Sequence, residues 1–138
     1  MEYMLMPIRR YADFSGRSRR MEYWMFVLFS ILAMIVLGCI GAILDVSMGN
    51  FAEGRFPVMF FSLVMLLSLF LFIPSIAVQV RRFHDQDKSG WMILLGLIPS
   101  VGGLIVLVFM CLDGTRGENS YGPDPKGYDP GNMVDVFR

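Results

Sequence analysis

Three stretches without a charged side chain constrain this chain more than anything else in it: Trp24 to Leu44, Phe56 to Val80 and Trp91 to Leu112. Each is longer than, or about as long as, the roughly 20 apolar residues that cross a bilayer core of about 30 Å as a helix. Three such runs would leave a soluble chain of 138 residues with almost no polar surface. Charged residues make up only 17% of the chain, against about 25% in a typical soluble domain. A polytopic helical membrane protein follows. The first run begins after Tyr23, is too long for the apolar core of a signal peptide, and is expected to stay in the membrane.

The residues before the first run are basic and aromatic. Met4, Leu5, Ile8 and Tyr11 recur at helical spacing, with Arg9, Arg10 and Asp13 between them. A short amphipathic interfacial helix is expected here, with Pro7 in its first turn and its arginines turned outward. Phe14 to Ser18 reads as a turn. Tyr23 and Trp24, and Trp91 at the head of the third run, stand where interfacial aromatic anchors belong.

Inside the runs, the signals concern packing. Gly38 and Ala42 put two small residues on one face of the first span, a surface for close helix contact. Pro74 leaves the carbonyl of Phe70 without its helical donor, and Ser75 is placed to bond back to a freed carbonyl. Pro99 to Gly103 interrupts the third run. Its halves, about ten residues each, are too short to cross alone, so one bent span is expected, a re-entrant bend being the other reading. Gly96, Ser100 and Gly103 mark a second small-residue seam. Cys39 and Cys111 read as buried small hydrophobes. The stretch from Asp113 to Arg138 is rich in Gly and Pro and reads as an extended tail.

The expected architecture is therefore an all-α membrane protein. Three transmembrane helices, at about 24–44, 56–80 and 91–112, with the third bent at Pro99 to Gly103, follow the interfacial helix. Residues 1–125 form one polytopic membrane domain and 126–138 a flexible polar tail. The basic residues set its orientation. With three spans, eight lie on the side shared by the N-terminus and the second loop, and four lie opposite. The positive-inside rule then places the N-terminus in the cytoplasm and the tail in the periplasm.

Two motifs flank the membrane on that basic side, and a third closes the chain. The first is Phe14-Ser-Gly-Arg17-Ser-Arg-Arg20-Met-Glu22-Tyr23-Trp24. The second is Arg81-Arg82-Phe-His84-Asp85-Gln-Asp-Lys88-Ser89-Gly90-Trp91. The third is Gly117-Glu-Asn119-Ser-Tyr121-Gly122-Pro123-Asp124-Pro125. Together they resemble the YhaH/YhaI-like family of small bacterial inner-membrane proteins, a domain of unknown function. The resemblance runs from about Tyr11 to Pro125. Phe83 stands where that family usually has leucine, Asp87 where glycine is common, and Met92 where a second tryptophan often follows. The resemblance implies a multi-span membrane protein and no particular reaction.

His84-Asp85 is the one pair that invites catalysis or metal binding. A single histidine beside one carboxylate is two ligands short of a typical zinc site. The chain also lacks a nucleophile motif, a phosphate loop and HExxH. No enzyme activity, cofactor or metal is expected, and zero net charge gives no reason to expect a nucleic-acid partner. The expected function is a basic cytoplasmic face binding lipid headgroups, a membrane-protein partner or a second copy. Arg17, Arg20, Glu22, Arg81, Arg82, His84 and Asp85 are its candidate residues, with Glu22 and Asp85 pairing to arginines of the neighbouring motif as a lock. The alternative class is an oligomeric channel or transport accessory subunit.

Overall fold

Hydrophobicity and helix propensity act together in the first two uncharged runs, and both become long helices. The computed structural model describes residues 2–50 and 53–127. Its elements are α1 (Glu2–Arg9), α2 (Arg20–Ser47), α3 (Val58–Asp85), a 3-10 helix (Gly90–Leu97) and α4 (Gly102–Cys111). There is no strand among the described residues, only an isolated bridge between Asn119 and Gly122. Helices α2 and α3 have 28 residues each and are, among the described residues, the two helices long and apolar enough to cross a membrane. They pack side by side as an antiparallel pair. Gly41 makes the closest approach: a methyl group there would lie 2.6 Å from Cα of Phe60. Gly38 meets the ring of the same Phe60. Ala42 instead lines a groove beside the contact, so the seam is Gly38–Gly41 rather than Gly38–Ala42.

Pro74 does not end α3, which continues to Asp85. Ser75 Oγ donates to the carbonyl of Leu71, not to that of Phe70. The Phe70 carbonyl is taken by Tyr11, whose hydroxyl donates to it at 2.7 Å. An unsatisfied carbonyl among apolar side chains costs several kcal/mol, so this bond stitches the N-terminal segment onto the middle of α3. Helix α1 lies against both long helices, with Ile8 packed on the core of Phe26, Leu71 and Val78. Pro7 is fully buried inside α1, beyond the first turn where it was expected.

The third uncharged run departs most from expectation. It is not one bent helix. The 3-10 helix begins against α3: a methyl at Gly90 would meet Val80 and His84. The chain reverses at Pro99–Val101, where Ser100 adopts a left-handed φ of 68°. Helix α4 then runs back along the 3-10 helix. At Gly102 a methyl would lie 2.2 Å from the carbonyl oxygen of Leu95, so only glycine permits this approach. At the far end of α4, the carbonyl of Cys111 accepts from Arg20 and that of Leu112 from Arg82. Both ends of the run therefore sit at one end of the α2–α3 pair. The cause is local: Pro99 brings no backbone N–H to the end of the 3-10 helix, and the left-handed Ser100 closes a turn rather than a bend. Phe83, Val106 and Met110 form the core that holds the hairpin to α3.

Residues 113–127 also depart from an extended tail. They pack back over the end of α3, where the Thr115 N–H donates to the Asp85 carbonyl at 2.8 Å. The rest of the expected flexible tail, 128–138, lies outside the described residues. Cys39 and Cys111 are exposed rather than buried, and both are free thiols.

Candidate functional site

The three sequence motifs converge at the end of the helix pair where α2 begins and α3 finishes. Arg81, Arg82 and Asp85 lie on the last turns of α3, Glu22 on the first turn of α2, and Arg17 on the segment leading into α2. All five are buried. Asp85 is the centre. One carboxylate oxygen accepts from Arg17 Nε at 3.0 Å and the other pairs with Arg82 Nη1. Beside it, Arg81 Nη2 pairs with Glu22 Oε1 at 3.2 Å. The Arg17–Asp85 and Arg81–Glu22 pairs join the first motif to the second, while Arg82–Asp85 lies within the second.

Three buried cations against two buried carboxylates leave one positive charge in excess, and backbone dipoles absorb it. Arg17 donates to the carbonyls of Thr115 at 2.5 Å and Gly117 at 2.6 Å. Arg82 donates to the Leu112 carbonyl. Leu112 and the segment 113–127 after it thus form a strap over the ion pairs, with carbonyls from Leu112 to Gly122 as acceptors. Its fit is tight at Gly114, where a methyl would lie 2.0 Å from Asp85 Oδ2. Arg81 Nε and Nη1 and Arg82 Nε have no hydrogen-bond partner among the described residues. A buried charge left short of partners is costly, so the surviving contacts matter more.

His84 faces the strap. Its Nδ1 lies 3.2 Å from the Gly16 carbonyl, which fixes that nitrogen as the donor. Its ring stacks on Tyr121 at 3.9 Å, with 5° between the planes. Asn119 Nδ2 donates to the His84 carbonyl at 2.9 Å. Asp87, where the family resemblance leads one to expect glycine, holds a left-handed φ of 55°, and its carboxylate accepts from the Ser120 N–H. The strap is therefore bonded at residue after residue to the loop that follows α3. A shallow cavity of about 380 Å³ opens beside His84 and Tyr121, with Ser89, Gly90 and Trp91 on its other walls.

Arg17, Arg81, Arg82 and Asp85 are enclosed in this hub, and Glu22 and Asp85 each pair with an arginine of the other motif. Arg20 is the exception. It is half exposed and pairs with Asp113 at 2.7 Å, which Lys126 also contacts at 3.0 Å. Lys126, with help from Arg20 and Arg82, holds the Asp113 carboxyl below the usual carboxylate range. Burial pushes the Asp124 carboxyl up, but N–H groups of Lys126 and Gly117 outweigh it and leave it lowered. At the entry turn, the Ser15 hydroxyl and Arg10 hold the Asp13 carboxyl well below its usual range. Tyr23 is half buried with its ring edge-on to Trp24, while Trp24 and Trp91 are exposed. Ser89 Oγ accepts from the Trp91 N–H and caps the 3-10 helix.

Sequence reasoning missed Asp45. It is fully buried at the opposite end of the pair, where its carboxylate accepts from the N–H groups of Phe60 at 2.9 Å and Met59 at 3.2 Å and from Asn50 Nδ2 at 2.7 Å. The sequence signal was available, since a lone carboxylate ends the uncharged run one residue after Leu44.

A pair of long apolar helices closed at one end by buried ion pairs and a polar strap defines an integral membrane protein. The chain belongs to the family described as "Protein of unknown function (DUF805)", whose model matches residues 11–123. It is 44% identical to inner membrane protein YhaH of Escherichia coli K12, over 91% of this chain and 98% of that protein. It is 40% identical to inner membrane protein YhaI of the same organism, over 91% and 97%. The uncharacterized protein YiiR of Escherichia coli K12 is 31% identical over 81% of this chain and 85% of its own length. No solved structure matches.

Proposed function

We propose that this protein is a non-catalytic component of the bacterial inner membrane that gathers anionic lipid headgroups around the cytoplasmic end of α2 and α3. The observation that carries the reading is the placement of its cations. Of 12 Lys and Arg residues, only Arg55 lies in the connection between α2 and α3. The others lie before α2, at its first residue (Arg20) or after Val80, which with two spans is one side of the membrane. The positive-inside rule makes that side cytoplasmic. This puts the strap at 113–127 in the cytoplasm too, the reverse of the periplasmic side expected with three spans.

The hub arginines are occupied by Asp85, Glu22 and backbone carbonyls, so headgroup binding falls to the outer cations. Arg9 is exposed, and Arg19 and Lys88 are half exposed around the hub's rim. Each contributes about 1 kcal/mol with anionic lipid near the surface. The test is to purify the protein and its Arg9→Gln/Arg19→Gln/Lys88→Gln variant in mild detergent and to quantify bound phospholipid by mass spectrometry. The wild type is expected to retain anionic over zwitterionic lipid, with the preference reduced several-fold in the variant. Equal retention by both would remove the basis for this reading.

A further inference from the structure

We infer that the hairpin formed by the 3-10 helix and α4 is a one-leaflet wedge, immersed among the acyl chains on the hub side of the membrane and never reaching the other side. The inference does not depend on whether the outer cations hold lipid.

Length sets the reach. The 3-10 helix has 8 residues and rises about 2.0 Å per residue, so it extends about 16 Å. Helix α4 has 10 residues, or about 15 Å at 1.5 Å each. Both start from the hub, so the tip lies no deeper than about half of a 30 Å hydrocarbon core. The base is held there by polar contacts: Arg20 on the Cys111 carbonyl, Arg82 on the Leu112 carbonyl and the Ser89 cap.

Composition sets the surroundings. No charge interrupts the sequence from Trp91 to Leu112. Leu94, Leu97, Ile98, Leu104, Leu107 and Val108 are exposed in the monomer, Leu97 at 77%. A helix that lies along a membrane surface keeps a polar face toward water. This hairpin has none, so its free surface fits hydrocarbon.

Irregular backbone at membrane depth requires internal satisfaction of its N–H groups, and the tip supplies much of it. Ile98 donates to Leu95, Val101 to Pro99, Gly102 to Ile98 and Ile105 to Val101, at 2.8 to 3.1 Å. Pro99 has no N–H to satisfy. The two arms touch backbone to backbone at Gly102 and Leu95, which lets a slim hairpin enter one leaflet.

The test uses single cysteines in full-length protein with Cys39 and Cys111 replaced by Ser, probed with a membrane-impermeant maleimide in intact spheroplasts and in inverted vesicles. Ala12→Cys, Glu118→Cys and Glu53→Cys are all at exposed positions. Ala12→Cys and Glu118→Cys are expected to label from the same face, and Glu53→Cys from the opposite face. Leu97→Cys is expected to label from neither face, at least tenfold below Glu118→Cys, and to label fully once detergent is added. Val101→Cys, also exposed, repeats the measurement if Leu97→Cys does not accumulate. Labelling of Glu118→Cys from the Glu53 face would make the run a span and overturn the wedge. So would labelling of Leu97→Cys from the hub face without detergent. Continued protection of Leu97→Cys in detergent would put another protein chain on that surface and would overturn it as well.

Discussion

The two ends of the α2–α3 pair meet the same physical demand in different ways. At each end, polar groups must be settled where two apolar helices leave hydrocarbon. At the hub end, Asp85 and Glu22 are matched by Arg17, Arg82 and Arg81, with carbonyls of the strap absorbing what is left over. At the far end, Asp45 has no cation among its contacts with the described residues. Its carboxylate is settled by two N–H groups in the first turn of α3 and one amide, where the helix dipole favours negative charge. The first solution ties together distant parts of the chain through groups that all need each other. The second is nearly self-contained, needing only the connection between two successive helices.

That difference sets the order of damage. Asp85→Ala leaves Arg17 and Arg82 buried without their shared carboxylate. Breaking a buried ion pair from one side costs about 3–5 kcal/mol. Denaturant unfolding of the purified variant in detergent is expected to show a loss of that size, with protease sites opening in 113–127. A loss under about 1 kcal/mol would mean that the hub charges are solvated rather than locked. At the far end, Asp45→Ala removes what is in effect a helix cap, worth about 0.5–2 kcal/mol. Asp45→Asn, which keeps an acceptor oxygen, is expected to recover part of it in the same assay. If Asp45→Ala cost as much as Asp85→Ala, the two ends would not differ in kind.

The smallest effect is acid loosening of the strap. The Asp113 and Asp124 carboxyls are held below their ordinary values in the folded protein. Their contribution is therefore complete above the unfolded carboxylate value of about 3.9 and is lost as pH falls through the lowered folded values. Hydrogen exchange of residues 113–127 is expected to stay constant from neutral pH to about 5 after correction for intrinsic rate. Faster corrected exchange is expected below about 4, with the α2–α3 helices unaffected. A loosening that set in near neutral pH would have to come from other groups.

The helix pair and the charged motifs were legible in the sequence for plain reasons. Long uncharged runs have few alternatives, and charged islands beside them have to be settled at the boundary. The choice between a bent span and a re-entrant bend, both readable from Pro99 to Gly103, was not legible, because hydropathy counts residues and does not see direction: Trp91 to Leu112 is long enough for a span and equally long enough to go halfway and return. What decides it is the left-handed turn at Ser100 and the clearance at Gly102, both tertiary facts. The strap was hidden for a related reason. Its glycines and prolines erase periodicity, and its carbonyls, the groups that contact Arg17, are common to every residue type. The pairing of Glu22 with an arginine of the second motif was expected from charge sign alone, whereas the burial of Arg81 and Arg82 was not. The donor for the Phe70 carbonyl could not be read from Pro74 itself, since Tyr11 lies 59 residues away.

The reach of Arg17 has a consequence for how the protein is made. Its guanidinium bonds to carbonyls of Thr115 and Gly117, 98 and 100 residues further along the chain. A nascent chain emerging from the ribosome therefore carries an incomplete charge cluster until the segment from Thr115 to Gly122 has been synthesised. A chain cut short before Thr115 would keep the bonds of Arg17 to Asp85 and lose all of its bonds to strap carbonyls.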